Sequence, residues 1–373
     1  MKNQNKNDQQ EQGLSNIAKR KAIISDFKEK FYRRHPWYKD ENYKLPSCQY
    51  PTTLQNVELS RKEFSKISLD EKDPMQSDIK KSILCGTVSG DTSLVIQQNY
   101  ANARMQNRHS TRQSDWFFWK WTVALKQYVK SDNSFQFSYP DGFQANTPVK
   151  TNEVLGKLKV ASKADKTLTA IWKKLIAENK KTFDRSWLNH QNNYFLMTLW
   201  LDDGSLVHQR QGEICVDWHE EEEKQKLVDY LKVVWGIETV IKSKQIMYKG
   251  ELKTYRHLYV VNQTELLKLL RLIAPIVPVK SMLYKILFVP ANNIDLLQRW
   301  ASECESLVLP QFKPCVNYFY RKTIKNYGKI KEKINEKASE EDIVQLDEIF
   351  KDFKDFKDFV TLTLLVLAVN DGN

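Results

Sequence analysis

The order of hydrophobic and polar positions along the chain occurs twice. Residues 79–88 place apolar side chains at helical spacing and lead to Asp91, and the apolar run 194–201 leads to Asp202 and Asp203. After each of these helices the pattern predicts two strands, a helix, two more strands and a final helix. The sequence therefore predicts an α+β chain made of two similar halves.

The repeat predicts where the chain divides. The four parts are an N-terminal extension over residues 1–75, a first half over 76–185, a second half over 186–290 and a helical C-terminal extension over 291–373. Within them we expect helix at residues 23–31 of the first extension and at residues 168–181, which end the first half. Ser77 is the expected N-cap of the first repeated helix.

The charge of the chain favours a polyanionic partner. Its 373 residues include 58 Lys and Arg against 46 Asp and Glu, a formal net charge of +12. The longest apolar run, residues 359–369, is shorter than the roughly 20 residues that cross a bilayer. No membrane association is therefore expected, and nucleic acid is the preferred partner. Five scattered cysteines without a CxxC pair make a zinc knuckle or a disulfide framework improbable.

The two aspartates that follow the repeated helices are the candidate chemistry. Asp91 and Asp203 lie at helix C-termini, where the helix dipole disfavours negative charge. If the two helices pack side by side, the carboxylates also repel each other, and a divalent cation would relieve both costs. Mg²⁺ prefers such oxygen ligands and can support phosphodiester hydrolysis. The alternative is a pair of unrelated helices with solvated acidic ends, which the repetition of the following elements makes less favourable.

Close packing of the two helices needs small side chains on the facing sides. Gly86 and Gly90 give the first helix such a face, and Thr198 is the matching small residue in the second. These three residues form the predicted helix interface.

Two stretches carry a family resemblance. LCGTVSGDT (84–92) and LMTLWLDDG (196–204) resemble the two motifs of single-chain LAGLIDADG homing endonucleases. HSTRQSDWFFWKW (109–121) and IVPVKSMLYKI (276–286) are similar to further segments of an intron-encoded subgroup, so that the resemblance covers about residues 77–290. It implies a pseudo-symmetric αββαββα pair whose motif helices form the central interface. It also implies two four-stranded antiparallel sheets that form a DNA-binding saddle.

The resemblance also implies roles for individual residues. The catalytic set would be Asp91, Asp203, Lys285 and Lys181, with neighbouring Lys180 as the alternative to Lys181. The two aspartates would hold Mg²⁺ or Mn²⁺, while Gly90 and Asp202 would offer backbone carbonyls or outer contacts to the metal. The lysines would polarise the scissile phosphate or orient the attacking water. Thr92 and Thr198 replace motif glycines, but neither departure removes a carboxylate.

Strand alternation predicts the surface that meets DNA, because every second side chain of a strand lies on the same face. The polar and basic candidates are Gln97, Asn99, Arg104, Gln106, Arg108, His208, Arg210, Lys242, Lys244, Lys253, Tyr255 and His257. Asn, Gln and Arg pair with base edges, and Lys binds phosphates. The alternative is a sheet face that is merely solvated.

Two functions fit this pattern, and a plain nucleic-acid-binding regulator is a third, less favoured one. The first is a Mg²⁺-dependent endonuclease that binds a double-stranded DNA target as a monomer and cuts both strands, in the service of intron mobility. The alternative is a maturase that binds group I intron RNA and assists splicing. Retention of both aspartates favours the nuclease. The Lys- and Asn-rich composition and the polar N-terminus indicate a protein encoded in a chloroplast or mitochondrion, with a bacterial cytoplasm as the other candidate.

Overall fold

A computed structural model of the protein describes residues 2–51, 71–139, 156–177, 180–207, 210–217, 219–248, 250–290 and 293–332. These residues form two compact units made of non-consecutive segments. The first unit contains the residues up to Lys44 together with Asp91–Thr169, and the second contains Leu45–Gly90 together with the residues from Ala170 onward. The division of the chain at residues 75, 185 and 290 stays a prediction.

The first unit contains a four-stranded antiparallel sheet. Its strands are β1 (Thr92–Val95), β2 (Arg104–Ser110), β3 (Phe135–Ser138) and β4 (Lys157–Ala161), in the order β1-β2-β4-β3. Side chains alternate between buried and accessible along β2, with Met105 fully buried. A short helix, α3 (Ser114–Phe118), follows β2 and continues as a π-helical turn over Trp119–Ala124. The aromatic side chains of this segment, Trp116, Phe117, Trp119 and Trp121 among them, belong to the core.

A long N-terminal helix, α1 (Lys2–Arg34), belongs to the same unit. Phe31 is fully buried, with its ring 6.3 Å from that of Phe118. The Arg34 guanidinium binds both carboxylate oxygens of Asp115 at 3.1 and 2.5 Å, and Asp115 is buried. The helix expected at residues 23–31 is therefore part of a longer element, which this ion pair and the aromatic contact hold to the unit.

The second unit contains the two repeated helices, α2 (Pro74–Ser89) and α6 (Asn193–Asp203). The predicted start of α2 at Ser77 is wrong by one turn. Asp73 is the N-cap, and its carboxylate accepts hydrogen bonds from the backbone N–H groups of Met75 and Gln76 at 3.1 and 3.4 Å. Pro74 fits the first helical position because its fixed φ suits a helix and its missing N–H needs no partner there.

The second sheet is also four-stranded and antiparallel. Its strands are β7 (Gly204–Val207), β8 (Gln211–Ile214), β9 (Thr239–Tyr248) and β10 (Glu251–Val260), in the order β7-β8-β10-β9. The helices α7 (Glu221–Trp235) and α8 (Gln263–Ile273) precede and follow the β9–β10 hairpin. Gly236 ends α7 in the left-handed region, at φ 64°. Two such sheets within a mixed helix and strand chain confirm the predicted fold class.

The segment between the two halves differs from the prediction. The helix expected over residues 168–181 is α4 (Lys166–Leu175), which ends six residues earlier. A short hairpin of β5 (Ile176–Ala177) and β6 (Lys180–Lys181) replaces its last part. The backbone N–H of Thr182 donates to the carbonyl of Leu175 at 2.8 Å, so that the hairpin satisfies the last turn of the helix. A one-turn helix, α5 (Arg185–Leu188), then leads to α6.

The described part of the C-terminal extension is helical, as expected. It consists of α9 (Ile294–Leu307) and α10 (Lys313–Glu332) in the second unit. Trp300, Cys304 and Tyr320 are buried, and the Tyr320 hydroxyl donates to the carbonyl of Phe288 at 3.1 Å. The prediction for residues 333–373 lies outside the described residues. No helix within the described ranges is long and apolar enough to cross a membrane.

Candidate metal centre and nucleic-acid interface

The two repeated helices pack through the small residues that the sequence singles out. A Cβ atom added to Gly86 would lie 2.8 Å from the Cβ of Thr198 and 3.0 Å from the carbonyl oxygen of Phe195. The Thr198 hydroxyl donates to the carbonyl of Tyr194 at 2.8 Å, so it is satisfied within its own helix. The backbone N–H of Asn192 donates to the Ser82 hydroxyl of α2 at 3.2 Å. The helices therefore approach as closely as a glycine at position 86 permits.

Gly86→Ala is expected to destabilise the protein. The new methyl group would overpack the contact with Thr198 at a cost of about 1–3 kcal/mol, which exceeds the gain of at most about 1 kcal/mol that Ala has over Gly in a helix. Urea unfolding would measure this loss. Thr198→Gly in the same chain should recover part of it, as a double-mutant cycle would show. A Gly86→Ala protein that is more stable than the parent would contradict the close approach.

The same helices end at the acidic residues. The backbone N–H of Gly90 donates to Gly86 O at 2.9 Å and caps α2. A Cβ at Gly90 would lie 2.9 Å from Oδ2 of Asp203 and 3.0 Å from the Cβ of Asp202. A peptide bond joins Gly90 to Asp91, which keeps their Cα atoms about 3.8 Å apart. The end of the first helix thus lies against the carboxylates that end the second.

Two lysines cover the carbonyl ends of these helices. The ammonium of Lys181, from β6, donates to the carbonyl of Gly90 at the end of α2. The ammonium of Lys285 is buried and lies 3.3, 2.6 and 3.3 Å from the carbonyl oxygens of Trp200, Leu201 and Asp202. Positive charge at a helix C-terminus is favourable because it opposes the helix dipole. Both lysines therefore hold the helix ends that carry the acids.

The structure distinguishes Lys181 from its neighbour. The Lys180 ammonium pairs with the exposed carboxylate of Glu220 at 2.7 Å. By contrast, the backbone of Lys181 is fixed by His219, whose Nδ1 lies 3.3 Å from the Lys181 carbonyl and whose ring stacks on Phe183. Burial and the charge of Lys181 lower the pKa of His219 to about 4, so that its imidazole is neutral at pH 7. Nothing in the sequence around His219, which precedes four glutamates, indicates this contact.

The accessible face of the first sheet is basic. Arg104, Gln106 and Arg108 share one face of β2, and the register pairs Arg108 with Lys159 of β4. Lys157 lies on the same face of β4, two residues away. We call Arg104, Arg108, Lys157 and Lys159 the first-sheet basic face. The two lysines were not among the predicted contacts, although their alternation with buried Leu158 and Val160 is visible in the sequence.

Two further candidates of the first half lie beyond the strands. Gln97 is half-buried and Asn99 is exposed, in the loop between β1 and β2. Asn99 has φ 70°, a left-handed conformation that asparagine tolerates better than most residues. They are therefore loop residues rather than members of the alternating strand pattern that suggested them.

One face of the second sheet gathers most of the candidates of that half. The register pairs Lys242 with His257 and Lys244 with Tyr255, and Lys253 lies on the same face. His257 is buried, with Nε2 3.1 Å from Oδ2 of Asp217. The ring of His257 is thus held inside a polar cluster, whereas Lys242 and Lys253 are exposed.

The remaining two candidates follow β7. Arg210 is half-buried in the turn before β8. His208 lies outside the described residues.

Comparison with known proteins shows what the chain is similar to. Residues 81–254 match the LAGLIDADG DNA endonuclease family. The match spans a little under half of the chain, and it supports the resemblance that the two motifs carry. The structure is also similar to that of the homing endonuclease I-WcaI bound to its DNA recognition sequence, at 15% identity and a TM-score of 0.45, over 61% of this chain and 98% of that one. No curated protein sequence matches the chain.

The family match favours one of the expected functions. A LAGLIDADG DNA endonuclease is a nuclease with DNA as its partner, which favours the nuclease over the RNA maturase. The matched range begins within α2 and includes α6, the two helices whose sequences carry the motif resemblance, and both are largely buried. The family match ends within β10, so the N-terminal helix and the C-terminal helices lie outside it.

The acids at the ends of α2 and α6 suit a hard divalent cation. Carboxylate oxygens are the ligands that Mg²⁺ and Mn²⁺ prefer. Gly90 leaves open the space beside Oδ2 of Asp203 that any side chain would fill. The backbone carbonyls of Gly90 and Asp202 already accept hydrogen bonds from Lys181 and Lys285, and an ammonium beside an oxygen opposes a second cation there. The carboxylates, rather than these carbonyls, are therefore the fitting ligands.

Asp91 has its own surroundings in the first unit. Its Oδ2 lies 3.6 Å from Nδ1 of His109, which is buried. That nitrogen is also 3.0 Å from Oε1 of Gln113, and Nε2 lies 2.8 Å from the ammonium of Lys120, which is fully buried. Because an ammonium can only donate, Nε2 accepts and the ring proton is assigned to Nδ1. His109 therefore presents an N–H toward Gln113 and Asp91.

The sequence reasoning missed His109 and Lys120. Strand alternation places His109 on the opposite face from Arg108, among core positions, and Lys120 lies within an aromatic run that indicates core. The chain thus supports Asp91 with a buried polar cluster that only the folded structure brings together.

Proposed function

We propose that the protein is a site-specific homing endonuclease that hydrolyses both strands of a double-stranded DNA target with the help of a divalent metal ion. The observation that carries the proposal is the close approach of Gly90 to Asp203 at the ends of two LAGLIDADG helices. An aspartate follows or ends each helix, and the glycine leaves space beside the carboxylate of Asp203. One chain contains both motifs, which supports action as a monomer.

Asp91 and Asp203 are the residues that would hold Mg²⁺ or Mn²⁺. The bound metal would supply charge stabilisation for the attacked phosphate and a more acidic water at each strand. Asp202 is buried and lies beside the Gly90 contact, where its carboxylate would act as an outer partner of the metal ligands. His109 would orient the Asp91 carboxylate through its Nδ1–H.

Lys181 and Lys285 act on this site through the helix ends. Each ammonium neutralises the carbonyl end of one LAGLIDADG helix and so offsets the negative potential that opposes an ionised aspartate. A nearby positive charge also favours a phosphate at the same place. The three N–H donors of the Lys285 ammonium all face backbone carbonyls. We therefore assign the two lysines to electrostatic positioning of the acids.

The first-sheet basic face would bind the DNA backbone. Arginine and lysine neutralise phosphates and release counterions, so each such contact steepens the dependence of affinity on salt. Gln106 and Gln136 lie on this same face, where their amides would meet base edges.

Arg108→Ala and Lys159→Ala are each expected to make DNA binding less salt-dependent. For one lost phosphate contact, the slope of log association constant against log salt should become shallower by about 0.9. Titration of a fluorescent duplex at four salt concentrations would measure it. Lys232→Ala, which removes an exposed charge from α7, is the matched control and should leave the slope unchanged. If all three variants behave like the parent, this face does not contact phosphates.

A further inference from the structure

The polar face of the second sheet contains a buried carboxylate. Glu213 of β8 pairs with Tyr259 of β10 in register and so shares a face with Lys244, His257 and Lys253. The residue is only 5% exposed, although it lies on the face where DNA contacts are expected. A carboxylate in such a place is costly unless hydrogen bonds compensate it.

Those hydrogen bonds come from this same face. The Lys244 ammonium lies 3.1 and 3.3 Å from the two carboxylate oxygens of Glu213, and the Ser205 hydroxyl donates to Oε1 at 3.1 Å. Burial raises the pKa of Glu213, but the hydrogen bonds from Tyr259 and Lys244 outweigh it and hold that pKa below its usual value. Glu213 is therefore ionised at neutral pH, and it forms a neutral pair with Lys244.

The pair changes what Lys244 can bind. The Lys244 side chain is 37% exposed, whereas that of Glu213 is 7% exposed, so the ammonium lies at the surface above a buried acid. With its charge compensated, the pair offers little attraction to a phosphate, and the carboxylate beneath it repels one. An ammonium has three N–H donors, and two carboxylate oxygens leave one of them for a further acceptor.

We propose that Glu213 and Lys244 form a base-reading pair, in which Glu213 fixes the Lys244 ammonium to recognise a guanine edge in the major groove. This inference rests on the proposed DNA-binding function and adds a residue that determines specificity. Guanine offers two neighbouring acceptors, O6 and N7, and lysine is a common partner for them. Fixing a flexible lysine in advance reduces the entropy that it loses on binding and sharpens its direction.

Lys242 provides an internal comparison. It lies two residues earlier on β9, on the same face, and its ammonium lies 5.6 Å from the centre of the Tyr259 ring. No acidic partner of Lys242 occurs in the part of the chain that the structure describes. Its exposed charge suits a phosphate, which carries no sequence information.

The test is selection of bound duplexes from a randomised library, followed by sequencing. It is carried out with the full-length parent protein and with the variants Glu213→Gln, Lys244→Ala and Lys242→Ala. The parent should enrich a motif with a strong guanine preference at one position. Lys244→Ala should lose about tenfold of that preference at this position alone. Glu213→Gln should weaken the same preference and bind unrelated duplexes more tightly, because Lys244 then carries an uncompensated charge. Lys242→Ala should keep the motif and bind all duplexes more weakly.

The outcomes separate the two proposals. If the parent enriches a motif and Lys244→Ala leaves every position unchanged or weakens all of them equally, the base-reading pair is wrong and DNA recognition stands. If the parent enriches no sequence and binds no duplex, the proposed function fails and the pair fails with it. Lys244 is partly exposed, so its variant should fold even if Glu213→Gln does not, and the comparison of Lys244→Ala with Lys242→Ala still decides.

Discussion

Asp203→Asn is expected to abolish DNA cleavage and to leave DNA binding nearly intact. The amide has the shape of the carboxylate but lacks its charge, so the proposed metal site at the end of α6 loses its ligand while the contact with Gly90 remains. Metal ions contribute several kcal/mol of transition-state stabilisation, and a loss of about 4 kcal/mol corresponds to roughly 10³-fold in rate. Single-turnover cleavage of a labelled duplex, with binding followed separately, would measure both effects.

The matched control for this variant is Glu222→Gln, which neutralises an exposed acid on α7. It should cleave like the parent. Asp91→Asn should behave like Asp203→Asn, because each acid serves the site at one strand. Full cleavage by Asp203→Asn would remove this residue from the chemistry, and loss of binding together with cleavage would indicate a structural role instead.

Lys285→Met is expected to lower both stability and cleavage. Methionine fills a similar volume, but it leaves the carbonyls of Trp200, Leu201 and Asp202 without their buried partner. A hydrogen bond to a charged group contributes about 1.5–3 kcal/mol, so the free energy of unfolding should fall by at least about 2 kcal/mol. Cleavage should fall by about 10²-fold, because the positive charge behind Asp203 is lost. Urea unfolding and single-turnover rates below the unfolding transition would measure the two losses.

Lys285→Arg separates charge from shape. Arginine keeps the charge but its planar fork is larger, so cleavage should recover more than stability does. Lys232→Met, which removes an exposed lysine, should change neither quantity. If Lys285→Met unfolds more easily but cleaves at the parent's rate when folded, the lysine only supports the helix end.

The sequence was most informative where one local pattern fixes one outcome. Helical spacing predicted α6 to within one residue, and alternation predicted strands in both sheets, although Gln97 and Asn99 lie in a loop instead. The glycine and threonine of the helix interface could be found because close packing admits few residue types. The acids could be named because two similar helices end in the same way.

Other features depend on contacts between residues far apart in the chain, which no local pattern contains. The helix expected to reach residue 181 ends at Leu175. Residues 176–181 form the β5–β6 hairpin instead, and the backbone N–H that follows it donates to the last carbonyl of the helix. In the sequence Lys120 only interrupts an aromatic run, whereas in the folded protein its ammonium contacts the ring of His109. Similarly, Glu213 and Lys244 are 31 residues apart and meet only through the register of β8, β10 and β9.

The central claim is that one chain uses the acids of its two LAGLIDADG helices to cut both strands of a DNA target. A duplex enriched from the randomised library, labelled on each strand and incubated with the protein and Mg²⁺ or Mn²⁺, tests it on a denaturing gel. We predict one new end on each strand, both absent when a chelator is present and both absent with Asp203→Asn. Bound duplex whose two strands stay intact under every metal condition would contradict the claim.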